Sequence, residues 1–415
     1  MKVALLSTYG QGGGAAIAAK RLMKALRSIG TEASMLVRTG QDYASHIHAL
    51  HEGALQEPLF LFDKFYEKLK FLPHEKNKSV RFAFSTAQTG RDISQHPLIQ
   101  EADIIHLHWV QHGFLDMDAL NKLSSLNKPI VWTLHDQWAF TGGCHYTRGC
   151  AHYEQKCGKC PMLKNPSDQD ISRKLWQQKS HWLKQTQKLC VVACSDWLRK
   201  EALTSGLMKN SQVINIPNPA DPEAYFPESI SEARLALNIP EDRFVLLFVA
   251  QNIRDPRKGF VYLERALEQL KPEIASKITL LLMGKEGPEK LSVPYITTGP
   301  LSNLAEIRRA YNAADVLMVP SLEDNLPNTI MEASSCHKPS IAFRTGGIPE
   351  MIIHQETGWL SDSGYEYGLT EGIEWMTQEN RARACGEKAG AFAQANYTPE
   401  IVAKQYLSVY EGMRV

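Results

Sequence analysis

The chain has 415 residues, 43% of them hydrophobic, and a formal net charge of +1, enough for two α/β domains with separate cores and without any run of about 18 apolar residues to cross a bilayer as a helix. The balanced total hides a split. Up to Asn218, 27 Lys and Arg stand against 18 Asp and Glu, and from Pro219 onward 19 stand against 27, as expected of two domains with different partners.

Met1 and Lys2 lead into an apolar strand over 3–7 rather than a signal peptide, so the expected location is cytoplasmic. Gly10, Gly12, Gly13 and Gly14 follow, and residues 15–29 repeat Ala, Ile, Leu and Met at helical spacing. Further strands are expected at 33–37, 104–108, 130–134 and 189–193, separated by stretches long enough for helices, which is the pattern of a parallel sheet. Four prolines between Pro217 and Pro227 break this pattern and mark a linker. Beyond it, strands are expected at 244–250, 278–283, 316–319 and 340–343, with a helix from about Gly259. Residues 399–413 carry Ile401, Val402, Tyr406, Leu407 and Tyr410 on one helical face. The expected division is therefore 1–218, with a Cys-rich insertion at 142–161, then 219–395, then a terminal helix within 396–415.

Several segments could carry chemistry. A glycine loop opening a helix offers backbone N–H groups to an anion. It also satisfies the looser dinucleotide pattern, with Arg38 available to suit NADP, and it can equally be a plain tight turn. Arg254-Asp255-Pro256-Arg257-Lys258-Gly259 follows a strand and opens a helix, where cations could neutralise a departing diphosphate without a metal; a solvated charge run is the alternative. Glu323, Asp324, Asn325 and Leu326 join a strand to the helix that holds Glu332, and carboxylates there suit sugar or ribose hydroxyls. His135 ends an apolar strand, where it either faces a ligand or simply pairs with Asp136; His108 is expected to face the cleft at its strand end and His106 to pack.

Cys144, Cys150, Cys157 and Cys160 could hold structural zinc, with free thiols or disulfides as the alternative; Cys190, Cys194, Cys336 and Cys385 read as core. Residues 59–84 interleave seven aromatics with Lys64, Lys68, Lys70, Lys76, Lys78 and Arg81, a composition suited either to an anionic membrane or to an amphipathic helix with a solvated basic face.

Taken in order, the glycine loop, His135-Asp136, Ile216-Pro217-Asn218, Lys258-Gly259, Glu332-Ala333, Gly346-Gly347-Ile348-Pro349-Glu350 and Thr357-Gly358 resemble glycosyltransferase family 4. These are retaining transferases of GT-B fold, and the chain most resembles the branch of colanic acid and other polysaccharide-building transferases. The resemblance implies two Rossmann-like, doubly wound α/β domains facing a central cleft, with the C-terminal helix packing back on the N-terminal domain. It implies a nucleotide diphosphate sugar, UDP- or GDP-linked, against the second domain: Glu332 on the ribose, Lys258 and a nearby arginine on the diphosphate, and Gly346 and Gly347 lining the pocket with the loop of Asn325 and Leu326. Gly12, Gly13 and Gly14 would approach from the first domain, with His135 beside the transferring sugar. The reaction implied is a front-face substitution without a catalytic metal, onto a glycan or lipid-linked oligosaccharide; no nucleic acid partner is expected.

Two departures bear on roles. The family pairs two glutamates eight positions apart, and here Asp324 stands eight before Glu332, with Glu323 one further off. The usual Gly-Arg after the first strand of the second domain reads Ala250-Gln251, leaving Arg254 or Arg257 for the diphosphate, Arg254 being preferred. An NADP oxidoreductase and a non-catalytic sugar-nucleotide-binding homologue are the rival readings.

Overall fold

The computed structural model describes residues 1–39, 46–50 and 56–414. They form two compact units, one of Met1–Asn218 with Pro399–Val415 and one of Pro219–Thr398.

The first unit is built on a seven-stranded sheet of β1 (Lys2–Tyr9), β2 (Glu32–Thr39), β3 (Ile47–Ala49), β4 (Ile104–Leu107), β5 (Ile130–Leu134), β6 (Leu189–Ala193) and β7 (Val213–Asn215). Its order is β3-β2-β1-β4-β5-β6-β7 and every pairing is parallel. Because β4 and β5 are covered on both faces, every residue in them is buried and their apolar residues do not alternate. The helix Gly14–Ser28 covers one face with Leu22 and Leu26, joined there by Val402, Tyr406 and Tyr410 of the last helix, Pro399–Met413. Ala403 shares that buried stripe, whereas Ile401 and Leu407 lie at its margin, half-buried. Leu120, Leu175 and Trp182, from Met117–Ser124 and Ile171–Gln185, pack in the core on the opposite face.

The second unit has a six-stranded parallel sheet of β8 (Phe244–Asn252), β9 (Ile278–Lys285), β10 (Tyr295–Gly299), β11 (Val316–Val319), β12 (Ser340–Phe343) and β13 (Gly358–Ser361), in the order β10-β9-β8-β11-β12-β13. Leu263 and Leu267 of Phe260–Glu268 and Leu369 and Ile373 of Glu366–Met376 pack in its core.

Each sheet reverses its winding once, at β1/β4 in the first unit and at β8/β11 in the second. In an open parallel sheet the loops after the two strands at such a point diverge to opposite faces and leave a crevice at the carboxyl edge, where ligands bind.

Candidate functional site

In the second unit the reversal is lined by charge. The loop after β8 carries Arg254 to Lys258, and the loop after β11 carries Ser321 to Asn328. Gly259 lets them touch: its φ is +70°, and a Cβ there would stand 1.8 Å from the Pro320 carbonyl oxygen. Leu322 N–H donates to the Arg257 carbonyl at 2.8 Å, tying the loops together. Across this seam Lys258 Nζ reaches Asp324 Oδ2 at 2.6 Å, and the Ser321 hydroxyl donates to the same oxygen at 3.3 Å. Burial opposes ionisation of Asp324, but Lys258 and Arg257 outweigh it and hold the carboxyl below its ordinary value. Of the two candidate arginines, Arg257 donates to the Glu323 carbonyl at 3.1 Å beside this pair, whereas the exposed Arg254 turns to Glu264 at 3.4 Å.

Glu332 lies in the first turns of Asn328–Ser335, buried, and accepts the Tyr311 hydroxyl at 2.8 Å. Asn325 and Leu326 are buried in the same loop. Gly346, at φ +57°, and Gly347 follow β12, the strand beside β11. The loops carrying Arg254, Lys258, Glu323, Asp324, Asn325, Leu326, Gly346 and Gly347 thus follow three adjacent parallel strands and open on one edge of the sheet.

The first unit presents different chemistry at its own carboxyl edge. Gly12 and Gly13, at φ +72° and +80°, open the helix Gly14–Ser28; a Cβ on either would meet nothing within 4 Å. These glycines serve backbone conformation in an open loop rather than close packing, and they leave the helix N-terminus accessible. After β4 and β5 stand His108 and His135, with His108 Nδ1 3.0 Å from His135 Nε2. His108 is buried and packs between His106 and His135. His106 does pack: its ring nitrogens meet Tyr410 and Thr133 hydroxyls, each at 2.7 Å, so the last helix reaches under the strand ends. Burial lowers His135 to about 4 and His106 to about 3, and it holds His108 well below its ordinary value as well. These imidazoles are neutral near pH 7.

Sequence reasoning missed the cluster around Asp136, the residue next to His135. The Tyr9 hydroxyl meets His112 Nδ1 at 3.0 Å, and Tyr9, Trp109 and His145 stack in succession, with centroids 5.9 and 5.5 Å apart. Asp136 accepts from Trp109 Nε1 at 2.8 Å and pairs with His145 Nδ1 at 2.7 Å. Burial resists its ionisation, yet His145 and the Trp138 and Trp109 donors keep its carboxyl low. His112 is lowered to about 3 by burial, with His145 and Lys64 adding to the effect. The one sequence signal was the His-Trp pair at the end of β4; His145 arrives from the Cys-rich segment, whose path no periodicity discloses.

Two expectations change. Arg38, considered for a nucleotide phosphate, is fully enclosed and ion-paired with Asp63, itself held by Arg91 at 2.7 Å. The helix Gln56–Phe71 does not turn a basic face to solvent: Leu61, Phe62, Phe65, Tyr66 and Leu69 point outward, while Asp63 and Glu67 are buried. Among the described residues no three His, Cys, Asp or Glu side chains stand in the arrangement of a metal site, and no helix is long and apolar enough to cross a membrane.

Two doubly wound parallel sheets, each with its polar residues gathered where the winding reverses, define the GT-B class of glycosyltransferase fold. Residues 12–224 match the model of Glycosyltransferase Family 4, and residues 243–379 that of Glycosyl transferases group 1. The chain is 25% identical to N-acetyl-alpha-D-glucosaminyl L-malate synthase of Bacillus anthracis, over 92% of this chain and 94% of that one. It is also 25% identical to WcaC of Escherichia coli K12, named as a colanic acid biosynthesis glycosyl transferase, over 75% and 76%. The crystal structure of Anabaena HepE in complex with UDP-glucose superposes with a TM-score of 0.64 at 17% identity, covering 99% of this chain and 100% of that one. The chain belongs to glycosyltransferase family 4.

Proposed function

We propose that the protein is a retaining hexosyltransferase that takes a sugar from a UDP- or GDP-linked donor and builds surface polysaccharide on a glycan or lipid-linked acceptor. The observation that carries this is the Lys258–Asp324 pair at the reversal of the second sheet, with Glu332 buried close by in sequence and fold. A fixed cation beside preorganised carboxylates is what a diphosphate leaving group and sugar hydroxyls require. The HepE complex with UDP-glucose and the naming of WcaC agree with that donor class and pathway type.

On this reading Glu332 holds the ribose, and Lys258 with Arg257, in place of Arg254, stabilises the charge on the diphosphate. Asp324 or Glu323, with Asn325, Leu326, Gly346 and Gly347, surrounds the sugar. The exposed glycine loop of Gly12 to Gly14 meets the anionic portion of the donor, and neutral His135 donates to or accepts from a sugar hydroxyl. The bond from the anomeric carbon to the leaving phosphate oxygen breaks, the bond to the acceptor oxygen forms on the same face, and the acceptor proton passes to the leaving phosphate. Transfer assays with UDP- and GDP-sugars, read by NMR of the new anomeric proton, test it: product of retained configuration is expected, and inversion or no turnover with any such donor would overturn it.

The acceptor is met at an anionic membrane face inside the cell. Five outward apolar side chains on Gln56–Phe71, with Lys68, Lys70, Lys76 and Lys78 close in sequence, give a surface able to enter the headgroup layer and be drawn there by charge. Lys64 is half-buried against Tyr9 and Phe60 and is less available. Sedimentation with anionic vesicles should fall as salt rises and fall again for Phe62→Ser with Phe65→Ser; equal binding to neutral vesicles would contradict it.

A further inference from the structure

Residues 141–170 run between the turn Trp138–Phe140 and the helix Ile171–Gln185 with one short turn, His152–Glu154, as their only helical element. Isolated bridges Phe84 to Cys144 and Glu75 to Leu163 pin two points of this path. Irregular segments longer than about 15 residues are uncommon inside compact domains unless something fastens them. The apolar cluster beneath is small, consisting of Phe71, Val80, Phe84, Cys160, Met162 and Leu163.

Hydrogen bonds such as Tyr153 Oη to Glu201 at 2.7 Å and Lys164 N–H to the His74 carbonyl at 2.8 Å hold other points, and the four cysteines offer a further fastening. Cys144, Cys150, Cys157 and Cys160 all border one cavity with about 20 Å³ of free space, room for one ion or one water and for no organic ligand. None of the four is in a disulfide. The backbone is shaped around the sulfurs: Gly142 N–H donates to Cys157 Sγ at 3.0 Å. A Cβ on Gly142 would come 2.7 Å from the Cys157 Cβ, so only glycine permits this approach. A buried lysine lies alongside. Lys179, 1% exposed, donates to the Thr141 carbonyl at 3.1 Å and to that of Trp138.

We propose that Cys144, Cys150, Cys157 and Cys160 bind one structural zinc ion that staples residues 141–170 to the first unit. The thiols share one cavity without converging as closely as ligands of a single ion do, so binding draws them together by side-chain rotation. Four S–H bonds break, four Zn–S bonds form, and the four protons leave to solvent. The resulting centre carries a charge of −2, which the Lys179 ammonium partly offsets. Fastening Cys144 also fixes the adjacent His145 on Asp136.

The proposal is independent of which donor the enzyme uses, because its test reads metal. Full-length protein purified under reducing conditions should contain about one zinc per chain by elemental analysis. Cys150→Ser and Cys157→Ser should reduce this to near zero, while Cys385→Ala, in a helix of the other unit, should leave it unchanged. If the serine variants fail to fold, wild-type protein stripped of zinc and titrated with cobalt(II) still decides the matter. Intense visible bands of tetrahedral thiolate-bound cobalt, saturating at one per chain, are expected. Zinc-free wild-type protein that takes up no cobalt, or non-reduced mass spectra showing the four cysteines in two disulfides, would overturn it.

Discussion

The two sheets reverse their winding in the same way but dress the reversal oppositely. In the second unit the edge carries Lys258, Arg257, Asp324 and Glu332, with Asp324 held ionised against its burial. In the first it carries His106, His108, His112 and His135, all kept neutral by burial, beside the stacked rings of Tyr9 and Trp109. Fixed charge costs desolvation and is justified where the ligand brings opposite charge; neutral imidazoles and aromatic faces suit hydroxyl-rich, uncharged ligands. The same topology therefore carries fixed charge at one reversal and neutral rings at the other, and on the proposed reading the charged one serves the diphosphate.

The largest effect should come from the charged side. Lys258→Ala should lower kcat/KM for transfer by about 100- to 1,000-fold, the usual scale for a lost charge-stabilising donor. It should also lower Tm, because Asp324 is left buried without its cation. Adding Asp324→Asn should restore part of the Tm and none of the transfer. Recovery of activity in the double variant would mean that the pair only supports the fold.

A smaller loss, on the order of 10- to 100-fold, is expected for His135→Ala. Since burial holds His135 at about 4, the activity lost in this variant should be the same fraction at pH 6 and pH 8. A difference that follows a titration near pH 6.5 would break the contrast by making His135 a charged participant.

The neutral histidines also predict how stability responds to acid. Their folded values lie below the ordinary 6.5, so the unfolded chain binds protons more readily between about pH 6.5 and pH 3 to 4. The stability they contribute is complete above pH 6.5 and is lost as pH falls. Glu67, raised to about 7 by burial, acts in the opposite sense, contributing below 4.5 and losing that contribution as pH rises through 7. Four groups outweigh one, and calorimetric Tm should decline from pH 6.5 to pH 4.

Of the strands, the sequence shows those buried on both sides and hides the rest. The interior strands β1, β2, β4, β5, β6, β8, β9, β11 and β12 are all legible as apolar runs. The four that are not legible, β3, β7, β10 and β13, are the four edges of the two sheets. An edge strand is covered on fewer sides and needs fewer apolar residues: Tyr295–Gly299 reads YITTG and has no buried residue, and Val213–Asn215 is three residues long. The charged edge of the second unit was legible because its residues are close in sequence to strands that announce themselves. The platform of Tyr9, Trp109, His112 and His145 was not, since it assembles from three separate segments by tertiary packing alone.

The smallest effect should separate two neighbours. Asp324→Asn should lower turnover more than Glu323→Gln, because Asp324 is buried on Lys258 whereas Glu323 is only half-buried. The reverse order would move the sugar contact one residue back.

Calorimetric titration of UDP-glucose and GDP-mannose into wild-type, Lys258→Ala and His135→Ala protein tests the division of labour most directly. At least one donor should bind the wild type, lose most of its affinity with Lys258→Ala, and keep it within a few-fold with His135→Ala. Wild-type affinity in Lys258→Ala, or loss of binding in His135→Ala alone, would contradict a donor held by the charged reversal of the second sheet.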